Sequence, residues 1–281
     1  MLASLARQKG APDFEVLVAL DGSRREPRVP PGLAARLLRL PPRGPYAARN
    51  AAAAAATGEV LLFTDSDCIA PPGWVAHAAR LFESGSDAAV QGASRASSDS
   101  RLSRLIQAEY ERYVATHALA GFRRYCDARN FAVRAALIRE LPWPDTLPRG
   151  GDTAYGWLLQ ARGIPIRYEA GWWVEHRHPR SRWEEGRRAF AQGKNGALWS
   201  RRLGVDLFAS AGAAEPRGPG AWLLGGTHNS RAARRAAALA LLPVAGAHAV
   251  ASAILPGVAG RAAFSRFRRA AHLAGRLAGT L

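Results

Sequence analysis

Two carboxylates spaced i, i+2 are the residues of this 281-residue chain that most directly indicate chemistry. Asp65 and Asp67 follow Val60–Phe63, an apolar run that predicts a short buried strand. A strand that ends in an Asp-x-Asp turn directs two carboxylate groups toward one point. Mg²⁺ and Mn²⁺ prefer carboxylate and phosphate oxygens, so this turn could hold a divalent cation against a diphosphate. Open α/β sheets also bind their ligands at the carboxyl ends of strands.

A second acidic turn lies upstream. Phe14–Leu20 predicts another buried strand, which ends at Asp21. An alanine-rich stretch of strong helix propensity separates the two strands, and this order predicts a βαβ unit. Asp21 could accept hydrogen bonds from a nucleotide base or ribose, or serve only as a cap or turn residue. Arg49 opens the helix, where its guanidinium could pair with a phosphate or a base edge, or lie at the surface.

Three residues in the second half of the chain could complete such a site. Asp152 follows two glycines at the start of a predicted helix, whose dipole favours an ionised carboxyl. It could act as a general base or only as the helix N-cap. His176 follows a predicted strand, and its neutral imidazole could complete the metal shell that Asp67 begins. Trp157, about one helical turn beyond Asp152, could form an aromatic wall for a sugar or lipid.

In order and spacing, these segments resemble the nucleotide-sugar half of an inverting family-2 glycosyltransferase with a GT-A fold. The resemblance covers roughly residues 1 to 200. The segments that carry it are LVALDGS, GPYAARNAAAAAATGEVLLFTDSD, PPGW, CDARNFAVRAALIREL, GGDTAYGW and VEHRHP. The resemblance implies an α/β fold with a Rossmann-like mixed sheet flanked by helices.

The resemblance also implies transfer of one sugar from a nucleotide diphosphate sugar, with Mg²⁺ or Mn²⁺ and with inversion. It implies that Asp65 lies near the ribose and the metal, that Asp67 ligates the metal and that Asp152 is the base. Asn130 falls in a segment that resembles the acceptor side of the family. Gly151 departs from the family, which often has Glu at that place. The Gln-x-x-Arg-Trp pattern of processive synthases is not in the sequence, so transfer of a single sugar is favoured.

The start of the sequence also departs from the family. A GT-A domain begins with a strand, whereas this sequence starts at a helix, so we expect the first strand to be missing and its neighbours to have unpaired edges. Two other functions stay open at this point. A nucleotidyltransferase would share the nucleotide-binding sheet and the metal, although no Gly-rich, Lys-bearing phosphate loop is found. A degenerate transferase-like protein would bind the nucleotide without catalysis.

The remaining elements are predicted from composition and period. Arg24–Pro42 is rich in proline and arginine and predicts a loop with one short turn. Ile166–Tyr168 and Trp172–Val174 predict two short strands. Arg182–Leu203 predicts a basic amphipathic helix that could be interrupted at glycines near its middle.

The composition is that of a folded protein with a large positive charge. The chain is 48% hydrophobic and carries a formal net charge of +17, nearly all of it from arginine. The arginines are scattered and no nucleic-acid-binding motif is found, so an anionic membrane surface or a polyphosphate ester is favoured over nucleic acid. Cys68 and Cys126 make no disulfide framework, which indicates a cytoplasmic protein.

A change in composition predicts a GT-A domain over residues 1–205 and a basic, Ala-rich helical segment over residues 206–281. No formal charge lies between Arg235 and Arg261, a stretch long enough to cross a bilayer. Its alanines and prolines favour helices that lie on the membrane surface over a spanning helix. We therefore expect a peripheral protein on the inner face of the cell membrane, with a lipid-linked or cell-envelope glycan as acceptor. An ordinary soluble helical tail is the alternative.

Overall fold

The computed structural model describes residues 1–116, 118–119, 122–123, 126–146, 149–203 and 231–279. The chain forms two compact units. The first comprises Met1–Asp99 and His117–His178, and the second comprises Ser100–Thr116 and Pro179–Leu281. The predicted domain boundary between residues 205 and 206 lies outside the described residues and stays a prediction.

Helices and strands alternate through most of the chain. In chain order, the elements are α1 (Leu2–Leu5), β1 (Val16–Asp21), β2 (Ala35–Leu40), α2 (Pro45–Ala55), β3 (Val60–Phe63), β4 (Cys68–Ile69), α3 (Trp74–Glu83), β5 (Ala89–Ala96), α4 (Arg101–Thr116), β6 (Ala118–Leu119), β7 (Phe122–Arg123), β8 (Phe131–Arg134), α5 (Ala135–Glu140), α6 (Gly151–Ala161), β9 (Ile166–His176), α7 (Arg182–Leu203), α8 (Arg231–Ile254) and α9 (Gly257–Gly279).

Seven strands form a mixed sheet in the first unit. Six follow the order β3-β8-β5-β9-β7-β6, and β4 pairs with β9 off this path. β5 and β9 run parallel, whereas β8 is antiparallel to both β3 and β5. The two short strands predicted between residues 166 and 174 are one continuous strand, β9. Because β9 extends to His176, that residue lies opposite Cys68 of β4 at the strand's carboxyl end.

A separate parallel sheet consists of β1 and β2. The predicted loop over Arg24–Pro42 is therefore wrong for Ala35–Leu40, which is a strand. Arg36 and Arg39 are exposed and interrupt the apolar pattern of this segment, so its period does not indicate a strand. The predicted βαβ unit is wrong in one respect, because its two strands, β1 and β3, belong to different sheets.

Side-chain packing aligns β1 with β3 although no ladder joins them among the described residues. On one face, Leu17 packs in the same buried cluster as Leu61. On the other face, Val18 packs in the same cluster as Val60. The side chains of the two strands therefore alternate between the same two faces. Both strands pack in the same two buried clusters, which position their carboxyl ends.

The second unit consists of the helices α4, α7, α8 and α9 in the part of it that the structure describes. The backbones of α7 and α9 touch where they cross: a Cβ atom on Gly193 would lie 1.9 Å from the carbonyl oxygen of His272, and one on Gly275 would lie 1.9 Å from that of Phe190. The predicted helix Arg182–Leu203 is confirmed and continuous. Gly193 admits the neighbouring helix instead of interrupting α7.

Helix α8 packs along α9. Within the described ranges, one stretch, Ala236–Ile254, is long and apolar enough to cross a bilayer by length and composition. Ala245 of α8 belongs to the same buried cluster as Phe264 and Phe267 of α9, which joins the two helices along their length.

Candidate active site

Backbone hydrogen bonds fix the Asp-x-Asp turn between β3 and β4. The N–H of Cys68 donates to the carbonyl oxygen of Asp65 at 3.1 Å, which closes the turn. The N–H of Arg177 donates to the carbonyl oxygen of Asp67, also at 3.1 Å. Because Cys68 pairs with His176 in the β4–β9 ladder, the turn brings Asp67 beside the end of β9.

A series of side-chain contacts leads from Asp65 to Asp152. Nη2 of Arg49 donates to Oδ1 of Asp65 at 2.5 Å. The same guanidinium lies 5.2 Å from the centroid of the Tyr46 ring, a cation–π distance. The Tyr46 hydroxyl donates to Oδ1 of Asp152 at 3.1 Å. We call the series Asp65–Arg49–Tyr46–Asp152 the Asp152 arm.

A second series leads from Asp67 to Asp127. Oδ2 of Asp67 lies 3.4 Å from Nε2 of His176. Nη1 of Arg129 lies 3.5 Å from Nδ1 of the same ring, at the outer limit of a hydrogen bond. Nε of Arg129 donates to both carboxylate oxygens of Asp127 at 2.9 Å. We call the series Asp67–His176–Arg129–Asp127 the Asp127 arm.

The pKa values of the two aspartates that end these arms move in opposite directions. Burial raises the pKa of Asp152, and the negative charge of Asp127 raises it further, against the lowering effect of Arg49. Burial also acts to raise the pKa of Asp127, but the Arg129 guanidinium outweighs it and holds that pKa at about 2. Asp127 is thus a lasting anion at neutral pH, whereas Asp152 is the carboxyl that more readily takes up a proton.

Gly151 makes room for the tyrosine of the Asp152 arm. A Cβ atom at this position would lie 2.6 to 2.7 Å from atoms of the Tyr46 ring, which is closer than real side chains allow. Burial raises the pKa of Tyr46, with Asp152 as the next cause, so its hydroxyl keeps its proton and donates. The glycine that stands where the family often has Glu therefore leaves space for Tyr46, whose hydroxyl donates a hydrogen bond to the candidate base Asp152.

Asp67 and His176 fit a divalent cation that is shared with a diphosphate. The Asp67 side chain is 51% exposed, so a cation could approach its carboxylate from solvent. Among the described residues there is no group of three His, Cys, Asp or Glu that could hold a metal ion. Protein sites for Mg²⁺ commonly supply one or two carboxylates and leave the other positions to phosphate oxygens and water. The donor set therefore suits an ion that binds together with its nucleotide.

The contact with Arg129 bears on how His176 would act. A guanidinium only donates hydrogen bonds, so in a hydrogen bond with Arg129 Nδ1 would be the acceptor and the ring proton would lie on Nε2. That proton faces the carboxylate of Asp67. In this tautomer His176 orients Asp67 through a hydrogen bond, and it would ligate a cation itself only after the Nε2 proton has moved.

Asp21 supports the start of α2. Its Oδ1 accepts a hydrogen bond from the N–H of Arg43 at 2.8 Å, and its Oδ2 accepts one from the N–H of Gly44 at 3.0 Å. These bonds fix the turn that leads into α2 and thereby position Tyr46 and Arg49. These contacts are those of a turn residue, which was the alternative role of Asp21. The predicted contact between Asp21 and the nucleotide stays a prediction.

The two residues expected on the acceptor side lie in different environments. Asn130 is 0% exposed, accepts a hydrogen bond from Nε1 of Trp74 at 3.0 Å and donates to the carbonyl oxygens of Ala93 and Trp172, each at 2.9 Å. A side chain with no exposed surface does not suit contact with an acceptor, so we assign Asn130 to the core. Trp157 lies half-buried on α6, and its role stays a prediction.

Sequence reasoning missed Tyr46. The available signal is its spacing of i, i+3 from Arg49 directly after the Gly-Pro turn, which places both side chains on one face of α2. Asp127 and Arg129 lie in a segment that carries the family resemblance, but their ion pair and its contact with His176 depend on distances that only the fold provides.

A known family accounts for the first half of the chain. Residues 1–141 match the family described as Glycosyl transferase family 2. Because the match covers half of its residues, the chain belongs to glycosyl transferase family 2. Asp65, Asp67 and Arg129 lie inside the matched region, whereas Asp152 and His176 lie beyond it. No curated protein matches the chain.

Two solved structures share the fold. One is the mannosyltransferase PcManGT from Pyrobaculum calidifontis in complex with GDP-Man and Mn²⁺, with a TM-score of 0.54 and 19% identity over 87% of this chain and 69% of that one. The other is S. aureus TarS 1-349, with a TM-score of 0.50 and 17% identity over 100% of this chain and 85% of that one. Together with the family match, they confirm the predicted GT-A class and a helical C-terminal segment, and they indicate a glycosyltransferase.

Proposed function

We propose that this chain transfers a single sugar from a nucleotide diphosphate sugar to an acceptor hydroxyl, with inversion at the anomeric carbon. The observation that carries the proposal is the pair of arms that start at the two carboxylates of the Asp-x-Asp turn and end at Asp152 and Asp127. Sugar transfer needs charge stabilisation for the leaving diphosphate and a base for the acceptor. The Asp127 arm starts at Asp67, a candidate for the first task, and the Asp152 arm ends at Asp152, the candidate for the second.

On the donor side, Asp67 binds Mg²⁺ or Mn²⁺ together with the diphosphate, and Asp65 and Arg49 bind the nucleotide. The complex of PcManGT with GDP-Man and Mn²⁺ supports the use of a divalent cation. When bound, the cation supplies positive charge where the leaving group becomes more negative. His176 orients Asp67 and is the second candidate ligand, and Asp21 fixes the turn that presents Arg49.

On the acceptor side, Asp152 takes the proton of the attacking hydroxyl. The acceptor oxygen bonds to the anomeric carbon from the face opposite the diphosphate, the bond to the diphosphate breaks with its electron pair, and the proton moves to Asp152. Tyr46 and the N–H of Thr153 both donate to Oδ1, at 3.1 and 2.9 Å, so we assign the proton transfer to the other oxygen, Oδ2. The raised pKa makes Asp152 a stronger base than an ordinary aspartate. Trp157 on the same helix is proposed as an aromatic wall for the acceptor.

The acceptor and the cellular location are inferred from composition and surface. We propose a hexosyl donor and a lipid-linked or cell-envelope glycan as acceptor, met by a peripheral protein on the inner face of the cell membrane. The net charge of +17 and the apolar stretch of α8 support a membrane surface as partner, and nucleic acid is not proposed as one.

The test is hydrolysis and transfer of nucleotide diphosphate sugars, assayed with Mn²⁺ and with EDTA, with the anomeric configuration of the product read by NMR. We expect metal-dependent release of the nucleoside diphosphate and an inverted product. Asp152→Asn should strongly reduce transfer while Asp13→Asn, a change at an exposed aspartate of the same unit, should not. Donor binding without turnover would favour a degenerate binding protein. Conversion of the donor and added pyrophosphate into a nucleoside triphosphate and a sugar 1-phosphate would favour a nucleotidyltransferase.

A further inference from the structure

Helix α8 has small side chains on its buried side and large apolar side chains on its exposed side. Ala238 and Ala245 are buried, and Ser252 is 0% exposed. Four large apolar side chains on the exposed side are between 46% and 71% exposed. We call them the apolar face, and they are Leu239, Leu242, Val250 and Ile254. This distribution is the reverse of that on a helix that packs its apolar stripe into a soluble core.

Exposed apolar side chains are concentrated around this helix. Of the ten large hydrophobic side chains that are exposed in the described part of the chain, seven lie between residues 239 and 258, and the most exposed is Trp183 of α7 at 76%. Trp183 lies near the end of α8, because Nε of its neighbour Arg182 donates to Oγ of Ser252 at 2.9 Å. Soluble monomers rarely expose so many large apolar side chains in one region, so this region is a contact surface.

The charges around the apolar face identify its partner. Residues 231–279 contain eight arginines and no aspartate or glutamate. Arg261, Arg266 and Arg269 of α9 are exposed. Apolar side chains bordered by arginines match the interface of an anionic bilayer, where the hydrocarbon boundary lies just below negative head groups. A second copy of the chain would instead bring the same positive charge against this surface.

The packing of α8 opposes a transmembrane orientation. Nη1 of Arg101 donates to the carbonyl oxygen of Ala253 at 2.9 Å, and its Nη2 donates to that of Leu255. These bonds hold the C-terminal end of α8 to a charged side chain, and α9 packs along the rest of the helix. Crossing the bilayer would carry Arg101 and the arginines of α9 into hydrocarbon, which is strongly unfavourable.

We propose that the apolar face and Trp183 form a membrane-binding surface on which α8 lies in the plane of an anionic bilayer. The inference rests on the proposed membrane location of the enzyme and does not depend on the sugar-transfer reaction. The apolar face enters the boundary between head groups and acyl chains, Trp183 lies at head-group level, and the arginines bind the lipid phosphates.

The depth of three positions along α8 tests the orientation. Leu239→Cys, Gly246→Cys and Ile254→Cys are labelled singly with a nitroxide in the full chain; Cys68 and Cys126 are buried and remain in place. The outer labels lie about 22 Å apart along the helix. On vesicles of equal parts phosphatidylglycerol and phosphatidylcholine, oxygen and nickel accessibility should give the same shallow depth for all three labels. A middle label that is deeper than both outer labels would mean a spanning helix and overturn the proposal.

The chemistry of the surface is tested by flotation with the same vesicles. Val250→Glu/Ile254→Glu should weaken binding at least ~10-fold, because two charges enter the apolar interface. Phe14→Glu, a change at an exposed apolar residue of the other unit, is the matched control and should float like the unmodified chain. Vesicles of phosphatidylcholine alone and high salt should each reduce binding. Undiminished flotation of the double variant overturns the assignment of the apolar face.

The remaining outcomes separate this inference from the proposed reaction. A chain that does not float with anionic vesicles at low salt, and whose concentration-dependent dimer is lost in the double variant, has a second copy on the apolar face, which overturns both the inference and the membrane location. A chain that floats with three shallow labels but does not release nucleoside diphosphate supports the inference and contradicts the reaction. Donor hydrolysis without vesicles should be unchanged in the double variant.

Discussion

The Asp152 arm and the Asp127 arm each end at an aspartate, but their last contacts are chemically different. Asp127 accepts hydrogen bonds from Nε and Nη2 of the Arg129 guanidinium, which carries a full positive charge. Asp152 accepts hydrogen bonds from a tyrosine hydroxyl and a backbone N–H, which are neutral donors. Neutral donors hold a carboxylate in position without fixing its charge, so Asp152 is positioned and still able to accept a proton.

This difference assigns a separate task to each aspartate. Two nearby carboxyls whose pKa values are pushed apart can serve as an anion and as a proton acceptor at the same pH. Asp127 is the lasting anion, and its charge contributes to the raised pKa of Asp152. Arg129 therefore acts on both arms, since it keeps Asp127 ionised in its own arm and the charge of Asp127 raises the pKa of Asp152 in the other.

The largest effect is expected at the end of the Asp152 arm. Asp152→Asn keeps the shape of the side chain but removes the proton acceptor, so transfer should fall by roughly 10²- to 10⁴-fold while donor binding is retained. Steady-state transfer rates and calorimetric titration of a nucleoside diphosphate measure the two quantities. Equal transfer by the variant and the unmodified chain would show that Asp152 is not the base and that it only supports the first turn of α6. Loss of folding is detected by circular dichroism, and Asp152→Glu then serves as the second variant.

The next effect is expected at the start of the Asp127 arm. Asp67→Asn should reduce the affinity for a nucleoside diphosphate in Mn²⁺ by about 10- to 100-fold, and it should not reduce the affinity in EDTA. Without the cation, Asp65 and Asp67 repel the phosphates, so the unmodified chain should bind weakly in EDTA. His176→Gln should have a smaller effect if His176 only orients Asp67, and an equal effect if it is a ligand. A nucleotide affinity that is independent of Mn²⁺ in the unmodified chain contradicts the metal assignment.

A moderate effect on stability is expected at Asp127. The fold lowers its pKa from 3.8 to about 2, so its ionised form contributes about 2 kcal/mol to the free energy of unfolding at neutral pH. This contribution is present above the unfolded-state pKa and is lost as the pH falls from about 4 to about 2. Urea unfolding of Asp127→Asn at neutral and acid pH should show a loss that shrinks over this window.

The same variant also tests how the two arms are coupled. Removal of the Asp127 charge should lower the pKa of Asp152, because a repelling neighbour is gone. The acid limb of the pH–rate profile should therefore move to lower pH in Asp127→Asn. A profile that keeps its acid limb in place would show that the arms do not interact.

The smallest effect on transfer is expected from a single methyl group at Gly151. The Cβ atom of Gly151→Ala would clash with the Tyr46 ring, so the ring must shift and its hydrogen bond to Asp152 must weaken. We expect a loss of about 1 to 3 kcal/mol in stability and roughly a tenfold loss in transfer. Gly246→Ala meets no atom within 4 Å and is the matched control, which should not lose stability. Tyr46→Phe should reproduce the catalytic loss without the clash.

Much of the site could be predicted because local sequence fixes it. The turn with Asp65 and Asp67, the position of Arg49 on α2 and the position of Asp152 in the first turn of α6 all follow from short segments with strong strand, turn or helix signals. His176 lies at a strand end, as expected. These are properties of a residue and its near neighbours, which a sequence displays directly.

The rest depends on contacts between distant segments. Tyr46 and Asp152 are 106 positions apart, and nothing near either residue indicates their hydrogen bond. The opposite pKa shifts of Asp127 and Asp152 arise from burial and from charges brought together by folding. The sequence pattern did not indicate strand β2, because the charged side chains of Arg36 and Arg39 on its exposed face weaken the apolar period. Asn130 has a type that suits sugar binding, but only the fold shows that it is buried.

The separation of β1 and β2 from the larger sheet has a consequence for amide hydrogen exchange. The β1–β2 sheet is joined to the rest of its unit by side-chain packing without a shared ladder among the described residues, so it can open as a small cooperative group of its own. Asp21 and the start of α2 would open with it, whereas the Asp-x-Asp turn would stay with β3. Protection of amides in β1 and β2 should therefore rise when a nucleotide contacts both groups. Part of the binding free energy would then stabilise the contact between the β1–β2 sheet and the rest of its unit.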